Sequence, residues 1–323
     1  MIKQNRSIHY DLLRIIACIM VILMHSPIPH EGWYGPFLSG LSFLCAPSIG
    51  LFIMISGALL LNKSDQVVFD TRTFLSKRFG KILWPTLFWY SLGYLLRYCG
   101  IRNAEYGVLW FMFTLSGLYL LTPILFRWVH VASKKEVEFY LILWGISLCY
   151  PFLKLFFKMN QGPSSWIYYF HGYVGYFVLG YYLAKYQIKR SFIVGLFVLF
   201  ALISIVFPVF SLLLDLKVKF YSFFWYLSLS VVLQCVVWWI YMRKVCHYFE
   251  PWRSVIVFLS RYSFGIYLVH ILVMRNFLWK ISWLQSLSGY LQVFVCVFLT
   301  FVISLIICWG ISKLRVGKYI IGV

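Results

Sequence analysis

Acidic side chains are scarce in this 323-residue chain, which has 9 Asp and Glu against 29 Lys and Arg and a net charge of +20. Charged residues of both signs make up only 12% of the sequence, whereas 62% is hydrophobic. A soluble domain has about a quarter charged residues, so this composition excludes one. The basic residues are confined to short segments between apolar runs, which leaves no continuous basic face for nucleic acid. The composition predicts an all-α, polytopic membrane protein.

Motifs for metal and nucleotide binding are also missing from the sequence. Eight cysteines are present, but no two have the C-x-x-C spacing, and the zinc-protease pattern H-E-x-x-H does not occur. We therefore expect no disulfide framework and no metal site. There is likewise no P-loop and no G-x-G-x-x-G motif, so none of these nucleotide-binding loops is predicted.

What the sequence has instead is a series of long apolar runs. Runs of about 17–25 residues are long enough to cross a bilayer as helices. Ten occur, at residues 11–28, 39–61, 79–97, 107–126, 137–156, 166–184, 191–213, 220–242, 254–274 and 288–312. With the N-terminus inside, 19 Lys and Arg lie at inner ends and 8 at outer ends, which favours an N-in, C-in topology. We expect one transmembrane domain over residues 1–323, without an appended soluble domain.

The first apolar run contains Arg14 near its start and His25 near its end. Their spacing of eleven residues corresponds to ~16 Å along a helix and only ~20° around it, so both side chains project from one stripe. Ionisable groups inside a membrane usually face the bundle interior or a wet cavity. Two simpler interpretations stay open: Arg14 pairs with Asp11 on the same face, and His25 is a hydrogen-bonded interior histidine. With the N-terminus inside, Arg14 lies near the cytoplasmic surface and His25 lies deep.

The segment DLLRIIACIMVILMH (11–25), with Arg14 and His25 separated by ten residues, resembles the first-span signature of the membrane-bound acyltransferase family 3. Five further segments resemble motifs of this family, in the same order along the chain: GLFIMISGALLL (50–61), FLSKRFGKILWP (74–85), VLWFMFTLSGLYLLTPIL (108–125), GYFVLGYYLAK (175–185) and LSRYSFGIYLVH (259–270). The resemblance covers essentially the whole chain. Within the family, the chain looks most like the stand-alone bacterial O-acetyltransferases of surface glycans, typified by the enterobacterial common antigen enzyme.

The resemblance implies that acetyl-CoA from the cytosol is the acyl donor and that a hydroxyl of an envelope glycan or lipid-linked sugar is the acceptor. It implies His25 as the catalytic residue, acting as general base or as a transient acyl carrier, together with Arg14. A basic loop before the third span is implied to bind the phosphates of coenzyme A. The implied cofactor-binding residues are Arg14, Arg72, Lys77, Arg78, Lys81 and Arg261. For the basic residues of this loop, the competing interpretation is that they only set the orientation of the chain in the membrane.

For the acceptor we expect contacts from Glu31, Trp33 and His171, which lie toward the outer side of the predicted bundle. Aromatic residues there suit the interfacial belt of a membrane protein at least as well as a sugar ring. His270 lies nine residues after Arg261 and faces away from it on a helix, which favours a structural role. Tyr119 and the Ser56–Gly57 pair are expected to pack between helices.

The sequence therefore predicts a multi-pass O-acyltransferase of the bacterial inner membrane, in contact with the lipid bilayer and with a glycan acceptor, and without nucleic acid or metal. The alternative is a transporter or flippase, in which the same cations and His25 line a path for an anionic or glycolipid solute. No paired, broken half-helices occur in corresponding halves of the chain, which counts against that alternative. The acyl group itself, acetyl or succinyl, is left open.

Overall fold

The computed structural model describes residues 6–26, 41, 44–62, 69–100, 109–150, 167–202 and 226–322, and every regular element in these ranges is helical. The α-helices are α1 (Ile8–His25), α2 (Pro47–Leu61), α3 (Thr71–Tyr98), α4 (Trp110–Val131), α5 (Lys134–Ser147), α6 (Ile167–Phe170), α7 (Val174–Lys185), α8 (Arg190–Ala201), α9 (Leu229–Val245), α10 (Arg253–Leu272), α11 (Ser282–Gln285), α12 (Gly289–Ser312) and α13 (Gly317–Ile321). Cys246–Trp252 and Leu278–Lys280 are 3₁₀ helices, and Val273–Phe277 is a π-helical turn. The predicted all-α class is confirmed for the described residues.

Four helical stretches among the described residues are long and apolar enough to cross a membrane. They are Ile8–His25, Trp110–Val131, Leu229–Lys280 and Gly289–Ser312, and Pro47–Leu61 is a shorter apolar helix. The last stretch agrees closely with the run predicted at 288–312. Parts of the runs predicted at 39–61, 137–156, 191–213 and 220–242 lie outside the described residues. Ten spans and an N-in, C-in topology therefore stay predictions.

The segment that was expected to be a basic loop before the third span is helical. Helix α3 begins at Thr71, and its N-cap residue Asp70 accepts hydrogen bonds from the backbone N–H groups of Arg72 and Thr73 at 3.0 and 3.3 Å. An aspartate at this position satisfies N–H groups that have no partner inside the helix, so it explains the early start. Hydrogen bonding to Thr73 also lowers the pKa of Asp70. The basic residues of this segment consequently lie on a helix of fixed geometry.

The predicted sixth span is interrupted by a turn. Helix α6 ends at Phe170 and α7 begins at Val174, and between them Gly172 has a positive φ of 140°. The carbonyl group of Gly172 accepts a hydrogen bond from Trp144 Nε1 at 2.9 Å. Because only glycine adopts this backbone region at low cost, Gly172 explains where the apolar run breaks.

The chain divides into two compact units, of which the first comprises residues 1–48, 69–120 and 244–323. In its described part, α1 packs along α10, and both contact α12. Helices α1 and α10 run parallel, since Asp11 meets Ser260, the Cys18 thiol lies 3.7 Å from the Ser263 carbonyl oxygen, and His25 lies beside His270. Helix α3 docks on α13 through Trp89, whose indole N–H donates to the Ile320 carbonyl oxygen at 2.8 Å.

The second unit comprises residues 49–68 and 121–243. Helices α2 and α7 approach at backbone distance within it: a Cβ atom on Gly57 would lie 1.9 Å from the Phe177 carbonyl oxygen, and one on Gly180 would lie 1.9 Å from that of Met54. Glycine therefore permits the contact on both helices. The packing role expected of Gly57 is what the structure shows, whereas the Ser56 hydroxyl bonds within its own helix, to the Phe52 carbonyl oxygen at 2.9 Å. The single-domain interpretation stays a prediction.

Candidate active site

Helix α1 carries Arg14 and His25 without interruption from Ile8 to His25. The helix buries Leu13 and Ile22 completely, whereas the side chain of Arg14 is 28% exposed and His25 is partly exposed. The unbroken helix keeps the two ionisable residues on one stripe, ~16 Å apart along the axis. This stripe is the starting point of the candidate site.

Asp11 is a buried carboxylate at the beginning of α1, with only 1% of its side chain exposed. It accepts two hydrogen bonds from Arg6, at 2.7 and 2.8 Å, and one from the Ser260 hydroxyl at 2.6 Å. Arg14 adds a longer bond, with Nη1 3.3 Å from Oδ1. A buried carboxylate is tolerated when cations and hydrogen-bond donors compensate it, and here they come from the segment before α1, from α1 itself and from α10. The hydrogen bonds to Asp11 raise the pKa of Arg6.

The pairing of Arg14 with Asp11 is thus one contact in a larger cluster. A guanidinium group has five N–H donors, and Arg14 uses one of them on Asp11, at the longest distance in the cluster. The two short hydrogen bonds from Arg6 provide most of the compensation for the buried negative charge of Asp11. Arg14 is therefore held in place by Asp11 while most of its donors stay available to an anion.

Arg78 lies against two aromatic rings in the same compact unit. Its Cζ atom is 5.9 Å from the ring centroids of both Phe74 and Tyr119, which are arranged edge to face at 6.3 Å. A guanidinium at this distance interacts favourably with a ring face. Tyr119 also interacts electrostatically with Arg14. The structure therefore places both Arg14 and Arg78 near Tyr119, for which the sequence predicted only packing.

The remaining predicted cofactor-binding residues do not all join this pair. Lys77, Arg78 and Lys81 share one face of α3, and Arg72 is turned away from them by about 120–180° at 100° per residue. Arg72, Lys77 and Lys81 are all exposed. Arg261 is exposed on α10, directly after the Ser260 that bonds Asp11, and its Cζ atom lies 6.0 Å from the Tyr262 ring. The predicted cofactor-binding residues therefore consist of two partly buried arginines, Arg14 and Arg78, and four exposed cations.

At the other end of α1, His25 lies next to His270. Their ring centroids are 5.5 Å apart, and the rings are tilted by 44°. His270 is fully buried, and its Nδ1 atom is 2.6 Å from the Tyr267 carbonyl oxygen. Arg261 is exposed and His270 is buried, as their spacing predicts. The structural role expected of His270 stays a prediction, and the structure adds His25 as its neighbour. The spacing within one helix contains no information about what the second helix places beside it.

Of the predicted acceptor residues, Glu31 and Trp33 lie outside the described residues. His171 belongs to the second compact unit, directly before the turn at Gly172, and its backbone N–H donates to the Ile167 carbonyl oxygen at 2.9 Å. Arg14, Arg78, His25 and His270 all belong to the first unit, so the candidate site is described without His171.

These observations define a helical membrane protein whose first helix carries a cation and a histidine on one stripe, each with partners from another helix. A family model for an acyltransferase domain matches residues 8–312. The chain therefore belongs to the membrane-bound acyltransferase family 3, and it is an acyltransferase. Neither the curated proteins nor the solved structures gave a significant match to the chain, so the particular similarity to the enterobacterial common antigen enzyme stays a prediction.

Proposed function

We propose that this protein is an O-acyltransferase that moves an acetyl group from cytosolic acetyl-CoA to a hydroxyl of an envelope glycan or lipid-linked sugar. The observation that carries the proposal is the placement of Arg14 and His25 on one stripe of α1, with Arg78 near the first and His270 near the second. Coenzyme A has phosphates at one end and its thioester at the end of an extended arm. Cations at one position along a helix and an imidazole farther along it suit such a donor.

Arg14 and Arg78 are the proposed phosphate ligands. Both guanidinium groups are partly buried next to Tyr119, and charge-assisted bonds from arginine to phosphate are short and directional. Lys77 and Lys81 add positive charge on the same face of α3, and Arg261 adds it on α10. Arg72 faces another direction, so we retain it as a contributor to the local positive charge only.

His25 is the proposed catalytic residue, in one of two roles. As a general base, its neutral imidazole takes the proton of the attacking hydroxyl while the new C–O bond forms and the thioester C–S bond breaks. As an acyl carrier, its nitrogen attacks the thioester and then passes the acetyl group to the hydroxyl. In both routes the coenzyme A thiolate leaves and receives a proton.

The acceptor is the least defined part of the proposal. Glu31, Trp33 and His171 are proposed to contact it, because glycans need hydrogen-bond partners and aromatic surfaces. We propose the bacterial inner membrane as the location, with a multi-pass topology that places the donor site toward the cytosol. Acetyl is the proposed acyl group, and succinyl-CoA is the comparison donor.

The test compares the envelope glycans of a host that expresses the wild type, His25→Ala or His247→Ala. His247 is an exposed histidine in the 3₁₀ helix Cys246–Trp252, so it is the matched control. Mass spectrometry is expected to find acetyl esters with the wild type and His247→Ala and none with His25→Ala, at equal protein levels. Acetylation by His25→Ala at the wild-type level would contradict the role of His25. A wild type that neither binds acetyl-CoA nor releases coenzyme A from it would contradict the donor.

A further inference from the structure

The imidazole of His270 has a defined tautomer. A carbonyl oxygen can only accept a hydrogen bond, so the 2.6 Å contact between Nδ1 and the Tyr267 carbonyl oxygen places the hydrogen on Nδ1. Complete burial favours the uncharged ring. In a neutral imidazole with hydrogen on Nδ1, the second nitrogen has no hydrogen and is an acceptor. Nε2 of His270 therefore presents a lone pair.

That lone pair has no hydrogen-bond partner among the described residues, although the atom is buried. A buried polar atom without a partner costs free energy, and in native proteins each such case needs a reason. The other ring nitrogen is already used within α10. The acceptor is therefore available for a donor that appears only in some state of the protein.

The ring of His25 lies next to the ring of His270. The two ring centroids are 5.5 Å apart, a separation at which a small ring rotation or a single bridging water joins two nitrogens by hydrogen bonds. Within α10, His270 is supported by Tyr267, whose ring is 5.8 Å away and packs edge to face on Phe111 at 5.7 Å. The Asp11–Ser260 bond at the other end of the same helix pair holds α1 and α10 in register.

We propose that His270 is a positioning residue for acyl transfer, whose Nε2 atom accepts a hydrogen bond from the imidazole of His25. This inference rests on the proposed function of His25. When His25 takes the proton of the acceptor hydroxyl, its imidazolium has two N–H groups. One N–H group faces the attacking oxygen, and the other donates a hydrogen bond to Nε2 of His270. The proton later leaves His25 for the coenzyme A thiolate, and His270 keeps its own proton on Nδ1 throughout.

This arrangement favours the transition state over the ground state. In the resting protein the Nε2 lone pair is unsatisfied, and it gains its partner as charge develops on His25. Only interactions that are stronger in the transition state accelerate a reaction. His270 is therefore expected to affect the rate of acyl transfer and to leave donor binding unchanged, because it does not contact the proposed phosphate ligands.

Two substitutions separate this role from a purely structural one. In His270→Asn, the side-chain amide occupies the position of Nδ1, so it keeps the bond to the Tyr267 carbonyl oxygen and removes the acceptor. In His270→Gln, the amide reaches the position of Nε2, so it keeps an acceptor oxygen and gives up the bond to Tyr267. A structural role predicts that the Asn variant is the better enzyme, and the proposal predicts that the Gln variant is.

The experiment uses membrane vesicles of an expressing host, with radiolabelled acetyl-CoA as the donor and the glycans of the vesicles as acceptor. We expect His270→Asn to lower the initial rate of label incorporation by about 100-fold and His270→Gln by less than tenfold, with an unchanged KM for acetyl-CoA in both. Such factors are typical of general acid–base catalysis and its support. Equal rates for the two variants, a faster Asn variant, or a loss of both activity and thermal stability in both would overturn the proposal.

A second measurement does not depend on acyl transfer and so separates this inference from the proposed function. Diethylpyrocarbonate acylates neutral imidazole, and peptide mass spectrometry reports its rate at His25 specifically. Acylation develops positive charge on the His25 ring, which the acceptor at His270 stabilises through a hydrogen bond from the opposite nitrogen, so modification of His25 is expected to slow severalfold in His270→Asn and little in His270→Gln. An unchanged rate in His270→Asn would overturn the proposal even if the wild type is active. A wild type that shows the predicted modification pattern but transfers no acetyl group would contradict only the proposed function.

Discussion

The hydroxyl group of Ser260 donates a hydrogen bond of 2.6 Å to the buried carboxylate of Asp11, across 249 residues of sequence. The bond joins the first turn of α1 to α10, the two parallel helices whose other ends bring His25 and His270 together. It also belongs to the cluster that holds Arg14. One interhelical contact therefore supports both ends of the candidate site.

Ser260→Ala is expected to lower the free energy of unfolding by about 1.5–3 kcal/mol, the usual range for a hydrogen bond to a charged group. Asp11 would lose its shortest bond while remaining buried and charged. Equilibrium unfolding in mixed detergent measures the change. The matched control is Ser263→Ala, since Ser263 is also buried on α10 but donates within its own helix, to the Ser260 carbonyl oxygen at 2.8 Å. Equal losses of unfolding free energy in the two variants would show that the charge of Asp11 does not strengthen the hydrogen bond from Ser260.

Arg78→Ala is expected to raise the KM for acetyl-CoA about tenfold, which corresponds to the loss of one charge-assisted hydrogen bond. Arg78 is partly buried and lies near Tyr119, which Arg14 also approaches. Arg72→Ala is the control on the same helix, because its side chain faces another direction. Donor titrations of both variants in membrane vesicles measure the difference. If Arg72→Ala raised KM as much as Arg78→Ala, the effect would be one of general positive charge.

Tyr119→Leu is expected to raise the KM for acetyl-CoA by about two- to thirtyfold, because it removes a ring that positions Arg78 and cation–π contacts contribute about 0.5–2 kcal/mol. Tyr119→Phe keeps the ring, its edge contact with Phe74 and its contact with Arg78. We therefore expect the Phe variant to stay within twofold of the wild type. A defect in Tyr119→Phe equal to that of the Leu variant would assign the effect to the hydroxyl group near Arg14.

Gly57→Ala and Gly180→Ala are each expected to destabilise the protein by about 1–3 kcal/mol or more, as overpacking does. In each case the new Cβ atom would lie 1.9 Å from a backbone carbonyl oxygen of the facing helix, and a backbone atom cannot move aside as a flexible side chain can. Gly145→Ala is the control, because nothing lies within 4 Å of a Cβ atom at that position. If Gly145→Ala lowered the thermal unfolding temperature as much as the other two substitutions, close packing of α2 on α7 would be contradicted.

The pattern of the sequence was sufficient for several features. Long apolar runs predict helices, and the run at 288–312 matches Gly289–Ser312 almost residue by residue. The spacing of Arg14 and His25 predicts their shared stripe, because it depends only on helical geometry within one element. The ordered motifs predicted the acyltransferase family, which the match over residues 8–312 confirms.

Other features followed the sequence pattern less well. The charges that interrupt the hydropathy before the third apolar run predict a loop, yet Asp70 caps a helix that begins there. Tyr119 and His270 were assigned to packing because each was considered on its own helix. Each lies beside a side chain of another helix, Tyr119 beside Arg78 of α3 and His270 beside His25 of α1, and the role proposed for each depends on that neighbour.

The sequence by itself determined that this is a helical membrane acyltransferase and that Arg14 and His25 share one face of the first helix, since composition, run length and spacing act locally along the chain. Only the tertiary structure decided that Ser260 holds Asp11, that Arg14 and Arg78 approach one tyrosine, and that the rings of His25 and His270 lie side by side. Those relationships depend on how α1, α3, α4 and α10 pack. Packing joins residues far apart in the chain, and no local pattern in this one sequence encodes which of them meet.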